Sequence, residues 1–149
     1  MIKIAHRGNT NGPNPEKENS PSYILGAIDK GFDCEIDLWK TDEGLFLGHD
    51  GPEYEIGETF LFDFSSKLWI HCKNLDALGL VINAKDRLNG FWHQEDNYTL
   101  TTKGFIWTYP DCPTMEGCIL VHLSLWKVSD IRESISGICS DYFTDNFIL

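Results

Sequence analysis

The segment Asp33-Cys34-Glu35-Ile36-Asp37-Leu38-Trp39 constrains this chain more than any other, because acidic and apolar residues alternate through it with a period of two. That period belongs to a β-strand, whose successive side chains point to opposite faces. Cys34, Ile36 and Leu38 then share one face, and Glu35 and Asp37 the other. Two carboxylates side by side repel and cost desolvation unless a proton or a divalent cation sits between them. Oxygen-only ligands favour a hard ion such as Mg2+ or Ca2+. Taken alone, such a pair is more often the solvated face of an amphipathic strand.

Two histidines flank the pair and change that balance. His6 ends the short apolar run Ile2-Lys3-Ile4-Ala5 and opens the loop Arg7-Gly8-Asn9; His49 follows Leu45-Phe46-Leu47-Gly48 and precedes Asp50-Gly51-Pro52. Both histidines therefore stand where strands end. Histidine has the unperturbed pKa nearest neutrality, so a facing pair can divide general-base and general-acid roles across a phosphorus centre. Arg7 offers a planar fork suited to phosphate. Each histidine by itself is more often structural; together, bracketing a carboxylate pair, they favour chemistry.

These residues resemble those of the glycerophosphodiester phosphodiesterase family, among the phospholipase C-like phosphodiesterases built on a TIM barrel. His6-Arg7-Gly8 matches the family's first strand end, and Lys17-Glu18-Asn19-Ser20 ahead of Pro21 to Ile28 looks like a variant of its Pro-Glu-Asn-Thr segment. Glu35-Ile36-Asp37, Thr41-Asp42-Glu43-Gly44 and His49-Asp50 follow in the family's order with one inserted residue. Gly137 to Tyr142 resembles its last strand, which usually ends in an acid, here Asp141. The match is dense over residues 5–50, thin in the middle, and resumes at 137–142.

Two departures stand beside it. Where the family commonly supplies a further metal-binding Glu two residues before a Lys, this chain has His71 before Lys73. Imidazole there would move preference from Ca2+ towards Mn2+ or Zn2+; a core histidine bonded to a neighbouring strand is the equal alternative. Length is the second departure, since 149 residues fall well short of the about 250 of a typical TIM barrel. The short acidic connection from Asp50 to Leu68 leaves no room for the family's insertion subdomain.

Further strands are expected at Leu68-Trp69-Ile70, Gly90 to Gln94, Gly104 to Tyr109, Gly117 to Leu123 and Gly137 onward, being aromatic, β-branched or led by Gly. Helices are expected over Ser20–Lys30, Leu75–Ala84 and Val128–Ile135, the last with Ser129 as N-cap. About ten residues join Gln94 to Gly104, fewer than the dozen or so of a parallel crossover through a helix. A single helical turn there, rather than a hairpin, keeps the resemblance. The expectation is an α/β chain forming one domain over residues 1–149, a reduced TIM-type (β/α) barrel with seven or eight mostly parallel strands and few helices.

His93 and Glu95 lie two apart at a strand end and are expected in the same pocket, His93 towards substrate and Glu95 as a further metal ligand. Trp107 reads as core, Tyr109 and Trp126 as pocket walls, and His122 as structural. A formal charge of -11 argues against nucleic acid and anionic membranes, which demand a positive face. It leaves an anionic substrate dependent on Arg7, Lys73 and a metal. Five cysteines without Cys-x-x-Cys spacing suggest neither a disulfide framework nor a zinc cluster. The apolar start runs straight into the His-Arg-Gly strand, and no apolar run reaches membrane-spanning length; a cytoplasmic protein is the expectation. Barrel faces without helices would be apolar patches, through which a homo-oligomer could pair.

What the resemblance implies is a metal-dependent phosphoric diester hydrolase of lipid metabolism. His6 and His49 would exchange a proton in an unassigned order, Arg7, Lys73 and His93 would bind the substrate, and Glu35, Asp37, His71 and Glu95 would hold the divalent metal ion. The alternatives are a degenerate barrel that binds a small phosphodiester without turnover, and a lyase giving a cyclic phosphate.

Overall fold

The structure, a computed structural model, describes residues 1–125, 131 and 134–143. The helix expected over Val128–Ile135 falls mostly outside these residues, and Trp126 wholly so. In chain order the elements are β1 (Ile2–His6), α1 (Pro21–Asp29), β2 (Asp33–Thr41), β3 (Gly44–Leu47), β4 (Tyr54–Ile56), α2 (Glu58–Asp63), β5 (Leu68–Cys72), α3 (Leu75–Asn83), β6 (Gly90–Trp92), β7 (Tyr98–Leu100), β8 (Ile106–Thr108), β9 (Ile119–Val121) and β10 (Gly137–Ser140).

The reduced (β/α) barrel is not what forms. Among the described residues ten strands make one curled mixed sheet with three short helices, and strands and helices do not alternate. Parallel pairing links β6, β5, β2, β1, β10, β9 and β8 in that spatial order. Antiparallel pairs extend it at two places: β3 and β4 fold back on the far half of β2, and β7 pairs with β8. A parallel crossover through a helix needs roughly a dozen residues or more, and the stretch from β6 to β8 instead spends its residues on β7. The helical turn expected there is thus replaced by a strand. On its other side β7 is tied to β6 by Thr99 Oγ1, which donates to the Trp92 carbonyl at 2.8 Å.

The long strand β2 organises the sheet. Cys34 to Leu38 align with Leu68 to Cys72 of β5, while Leu38 to Thr41 take β3 as partner, so one strand serves two directions. Its apolar residues Cys34, Ile36 and Leu38 are fully buried. They face an outer layer formed by Ile24 and Ala27 of α1, Leu61 of α2, and Ala77 and Val81 of α3. The helix α3 is started by Asn74, whose side chain accepts the Ala77 N–H at 3.0 Å. Gly90 lets β6 approach this layer, because a Cβ there would stand 2.7 Å from Val81 Cγ1 and 2.9 Å from the Ile70 carbonyl.

The opposite face of the sheet curls around a second apolar cluster: Ile4, Trp69, Phe91, Trp107, Ile119, Val121 and Cys139. Trp107 is core, as its strand position predicts. This plug fills the curl from below and leaves the C-terminal ends of β1, β2, β5 and β6 open above it.

Candidate active site

Residues aligned in a parallel pair point the same way, so register alone assembles the site. His6 aligns with Glu35, and Glu35 with Trp69. Two residues further along, Asp37 aligns with His71 and His71 with Phe91. The inner face therefore carries a row of His6, Glu35 and Trp69 under a row of Asp37, His71 and Phe91. A cavity of about 380 Å³ opens over them, within the usual size of a ligand pocket. His6, Arg7, Glu35, His49, His71, Lys73 and His93 all line it, opposite a wall formed by Trp92, Trp107, Tyr109, Val121 and Leu123. Glu95 does not join them; it is exposed and stands apart from the carboxylate cluster. His122 is half-buried just past β9, with its ring against Ser124.

The charges are closely interlocked. Asp37 is wholly buried. Its Oδ2 accepts from Asn19 Nδ2 at 2.8 Å and lies 3.0 Å from Arg7 Nε. Its Oδ1 lies 3.1 Å from His71 Nδ1 and 3.5 Å from Lys73 Nζ, yet no group among the described residues aligns with it for a hydrogen bond. Burial raises the Asp37 carboxyl, but His71, Arg7 and Lys73 outweigh burial and hold it below the usual carboxylate range. Glu35 goes the other way: burial, then the Asp37 charge beside it, push its pKa up. The donor atoms of Glu35, Asp37 and His71 lie within 4.8 Å of one another, close enough to share a metal ion.

His6 Nδ1 is bonded to Asp141 Oδ1 at 2.8 Å, and its Nε2 lies 4.0 Å from Glu35 Oε2. Burial alone would lower the His6 pKa; the Asp141 bond and the Glu35 charge more than reverse this, so the ring is more basic than usual. His49 is half-exposed, with Nδ1 on Asp50 Oδ1 at 2.7 Å. His93 stacks on Tyr109 with ring centroids 3.4 Å apart, and burial lowers its pKa.

Sequence reasoning passed over four supporting residues. Asp141 anchors His6 and also accepts from Asn9 Nδ2 at 2.8 Å, which in turn reaches Glu18 Oε1 at 2.8 Å. Asn19 clasps Asp37 twice, accepting its N–H at 2.9 Å as well as donating to its carboxylate. Glu18 holds Arg7 Nη1 at 3.3 Å. The signal for all but Asn9 lay in two segments noted for their resemblance to a known pattern, Lys17 to Ser20 and Gly137 to Tyr142.

Backbone strain marks the same place. Arg7 sits at φ 52° and Asn19 at φ 63°, in the left-handed region. For a bulky residue such as Arg7 this costs roughly 1–2 kcal/mol. It is held there because its N–H bonds the Glu35 carbonyl and its carbonyl accepts from Asn19 N–H, each at 3.1 Å. Strain of this kind gathers at functional sites.

No family model, curated protein or solved structure matches this chain. Among the described residues no helix is long and apolar enough to cross a membrane.

Proposed function

We propose that this cavity hydrolyses a small phosphoric diester of the glycerophosphodiester type, using His6 and His49 for proton transfer and Glu35, Asp37 and His71 to hold a divalent cation. One observation carries the reading. The imidazoles of His6 and His49, the cations of Arg7 and Lys73 and the carboxylate of Glu35 line a single cavity that also has an apolar wall, with Asp37 buried within ligand reach of Glu35 and His71.

The charge balance supports a cation. Glu18, Glu35, Asp37 and Asp141 outnumber Arg7 and Lys73 in the cluster, and the upward shifts of Glu35 and His6 answer that excess, which a cation would offset in their place. Buried charge of that size is costly unless paired. The buried, hydrogen-bond-free Asp37 Oδ1 is the atom a cation would satisfy. When bound, such an ion supplies positive charge to the phosphoryl oxygens and lowers the cost of the charge that builds there.

The chain's own groups do the rest. Each of His6 and His49 has Nδ1 tied to a carboxylate, which fixes the ring and leaves Nε2 for the substrate. One Nε2 takes the proton of a hydroxyl next to the phosphate as its oxygen attacks phosphorus. The other gives a proton to the departing alkoxide, and the cyclic phosphate so formed is opened by water with the roles reversed. Arg7 and Lys73 sit where they can orient the phosphate oxygens, and the aromatic wall keeps bulk water from the leaving side.

The test is release of glycerol 3-phosphate from a panel of glycerophosphodiesters with added divalent ions and with chelator. Phosphorus NMR follows the product, beside the His6→Ala and His49→Ala variants. Metal-dependent release that falls about 100-fold or more in both variants supports the reading. Equal turnover in the wild type and both variants overturns it. A cyclic product that accumulates would identify a lyase, and tight binding without product a non-catalytic site.

A further inference from the structure

We propose that the Glu35, Asp37 and His71 cluster selects a borderline first-row ion, Zn2+ or Mn2+, bound through His71 Nδ1, over Ca2+ and Mg2+. The inference rests on the reading that the cluster holds a cation, and goes beyond it by naming the ion class and the ligating atom.

His71 Nε2 lies 3.1 Å from the His93 carbonyl oxygen. A carbonyl only accepts, so the proton is on Nε2. Nδ1 points at Asp37 Oδ1 (3.1 Å) and Glu35 Oε1 (3.8 Å), so an ion that displaces any proton from Nδ1 would meet a lone pair there. Three potential ligand atoms converge here, and among the described residues Asp37 Oδ1 has no aligned hydrogen bond. Metal-ligating histidines characteristically donate their other N–H to a backbone carbonyl or carboxylate, which is the arrangement found here. For bonds of about 2.1 Å, neighbouring ligand atoms stand roughly 3 to 3.5 Å apart. The 3.1 and 3.8 Å separations at His71 Nδ1 lie close to that range.

The ring is also fixed before any ion arrives. It stacks on Phe91 with centroids 5.2 Å apart and planes 10° from parallel. The imidazole cannot turn away without losing both the stack and the carbonyl bond. A preset nitrogen donor is what distinguishes this cluster from an oxygen-only site.

The remaining groups decide against a hard ion. Ca2+ takes about six to eight oxygens, and here two carboxylates face a nitrogen, with Glu95 outside the cluster. Arg7 Nε and Lys73 Nζ lie 3.0 and 3.5 Å from the Asp37 oxygens and repel any cation. An ion held mainly by charge is penalised in that setting; one that bonds imidazole more strongly is not.

Isothermal titration with Zn2+, Mn2+, Mg2+ and Ca2+ against the wild type, His71→Ala and His71→Glu tests this, with thermal melts confirming that each variant folds. The expected result is Zn2+ or Mn2+ binding at least about tenfold tighter than Ca2+ or Mg2+. His71→Ala should then lose about 10- to 100-fold in Zn2+ affinity, and His71→Glu should move preference towards Ca2+ and Mg2+. Proton NMR of the Co2+-loaded protein gives a second readout: an exchangeable, strongly shifted resonance from Nε2–H, absent in His71→Ala. Binding of Ca2+ or Mg2+ as tight as Zn2+, unchanged in His71→Ala, overturns the inference while leaving the cation reading standing. If no ion binds the folded wild type, the cation reading itself falls, and this inference with it.

Discussion

The two halves of the curled sheet are built differently. Around β2 and β5 both faces of the strands are covered, by three helices outside and by the aromatic plug inside. Around β7 and β8 no helix among the described residues covers the outer face, and Tyr98, Leu100 and Met115 stand exposed along it. The charged groups that need exact placement, Glu35, Asp37 and His71, come from the covered half, whereas Trp107 and Tyr109 of the other half supply only a wall. Holding two carboxylates together costs free energy, and the doubly packed strands are the part of the molecule able to bear that cost.

Truncation of one buried side chain in each half gives the largest effect. Ile36 is completely buried in the helix-covered layer, while Leu120 belongs to the small cluster of Cys118 and Ile135 and keeps 8% of its surface exposed. Ile36→Ala should cost about 2–5 kcal/mol in urea unfolding, and Leu120→Ala less than half as much. Equal losses would mean the two halves are equally well packed. Asn19→Ala comes next, at about 1–3 kcal/mol, because it strips two hydrogen bonds from the buried Asp37. It also puts a Cβ-only side chain at φ 63°, which asparagine tolerates better. Asn19→Asp, with a third carboxylate against Asp37, should be worse than Asn19→Ala; an Asp variant as stable as wild type would contradict the placement of Asn19.

The same contrast explains what the sequence disclosed. The covered half was legible because its signals are local: the period of two in β2, the apolar spacing of α1 and α3, and histidines at the ends of apolar runs. The sheet's other half was misread because β7 is three residues long and carries no periodicity, and its pairing with β8 is settled by loop length and tertiary contact. Likewise β4 and α2 were hidden in a stretch read only as an acidic connection. At the site, residue type identified His6, Glu35, Asp37 and His71. Asn9, whose role is to hold others, has no signature until the fold brings it to Asp141, 132 positions away along the chain.

Alkaline pH probes the covered half with a smaller effect. Burial raises the thiols of Cys34, Cys72 and Cys139 above their ordinary value of 9.0, Cys72 to about 12. Raised acids stay neutral in the fold while the unfolded chain ionises, so stability is fully present below pH 9 and declines as pH rises towards 12. At pH 10 the loss from Cys72 alone is roughly 1.4 kcal/mol. Urea unfolding under reducing conditions from pH 8 to 10.5 should show that decline, and Cys72→Ala should make it shallower whatever it does to stability at pH 8. An unchanged slope in the variant would show that Cys72 is not sealed beneath α3 and the sheet.

The smallest expected effect falls on the uncovered half and tests whether it is truly uncovered. Leu100 is 67% exposed, and its place in β7 comes from backbone pairing with Ile106 rather than from its side chain. With Tyr98, Ile106, Pro113 and Met115 it forms an open apolar groove without a charged residue. In an isolated molecule Leu100→Ser should change stability by no more than about 0.5 kcal/mol and leave diester binding untouched, since surface substitutions rarely do more. A loss above 1 kcal/mol that grows with protein concentration, with a change in gel-filtration mass, would mean that a second copy covers this face in solution. The difference between the halves would then describe one protomer, with the missing outer layer supplied by its partner.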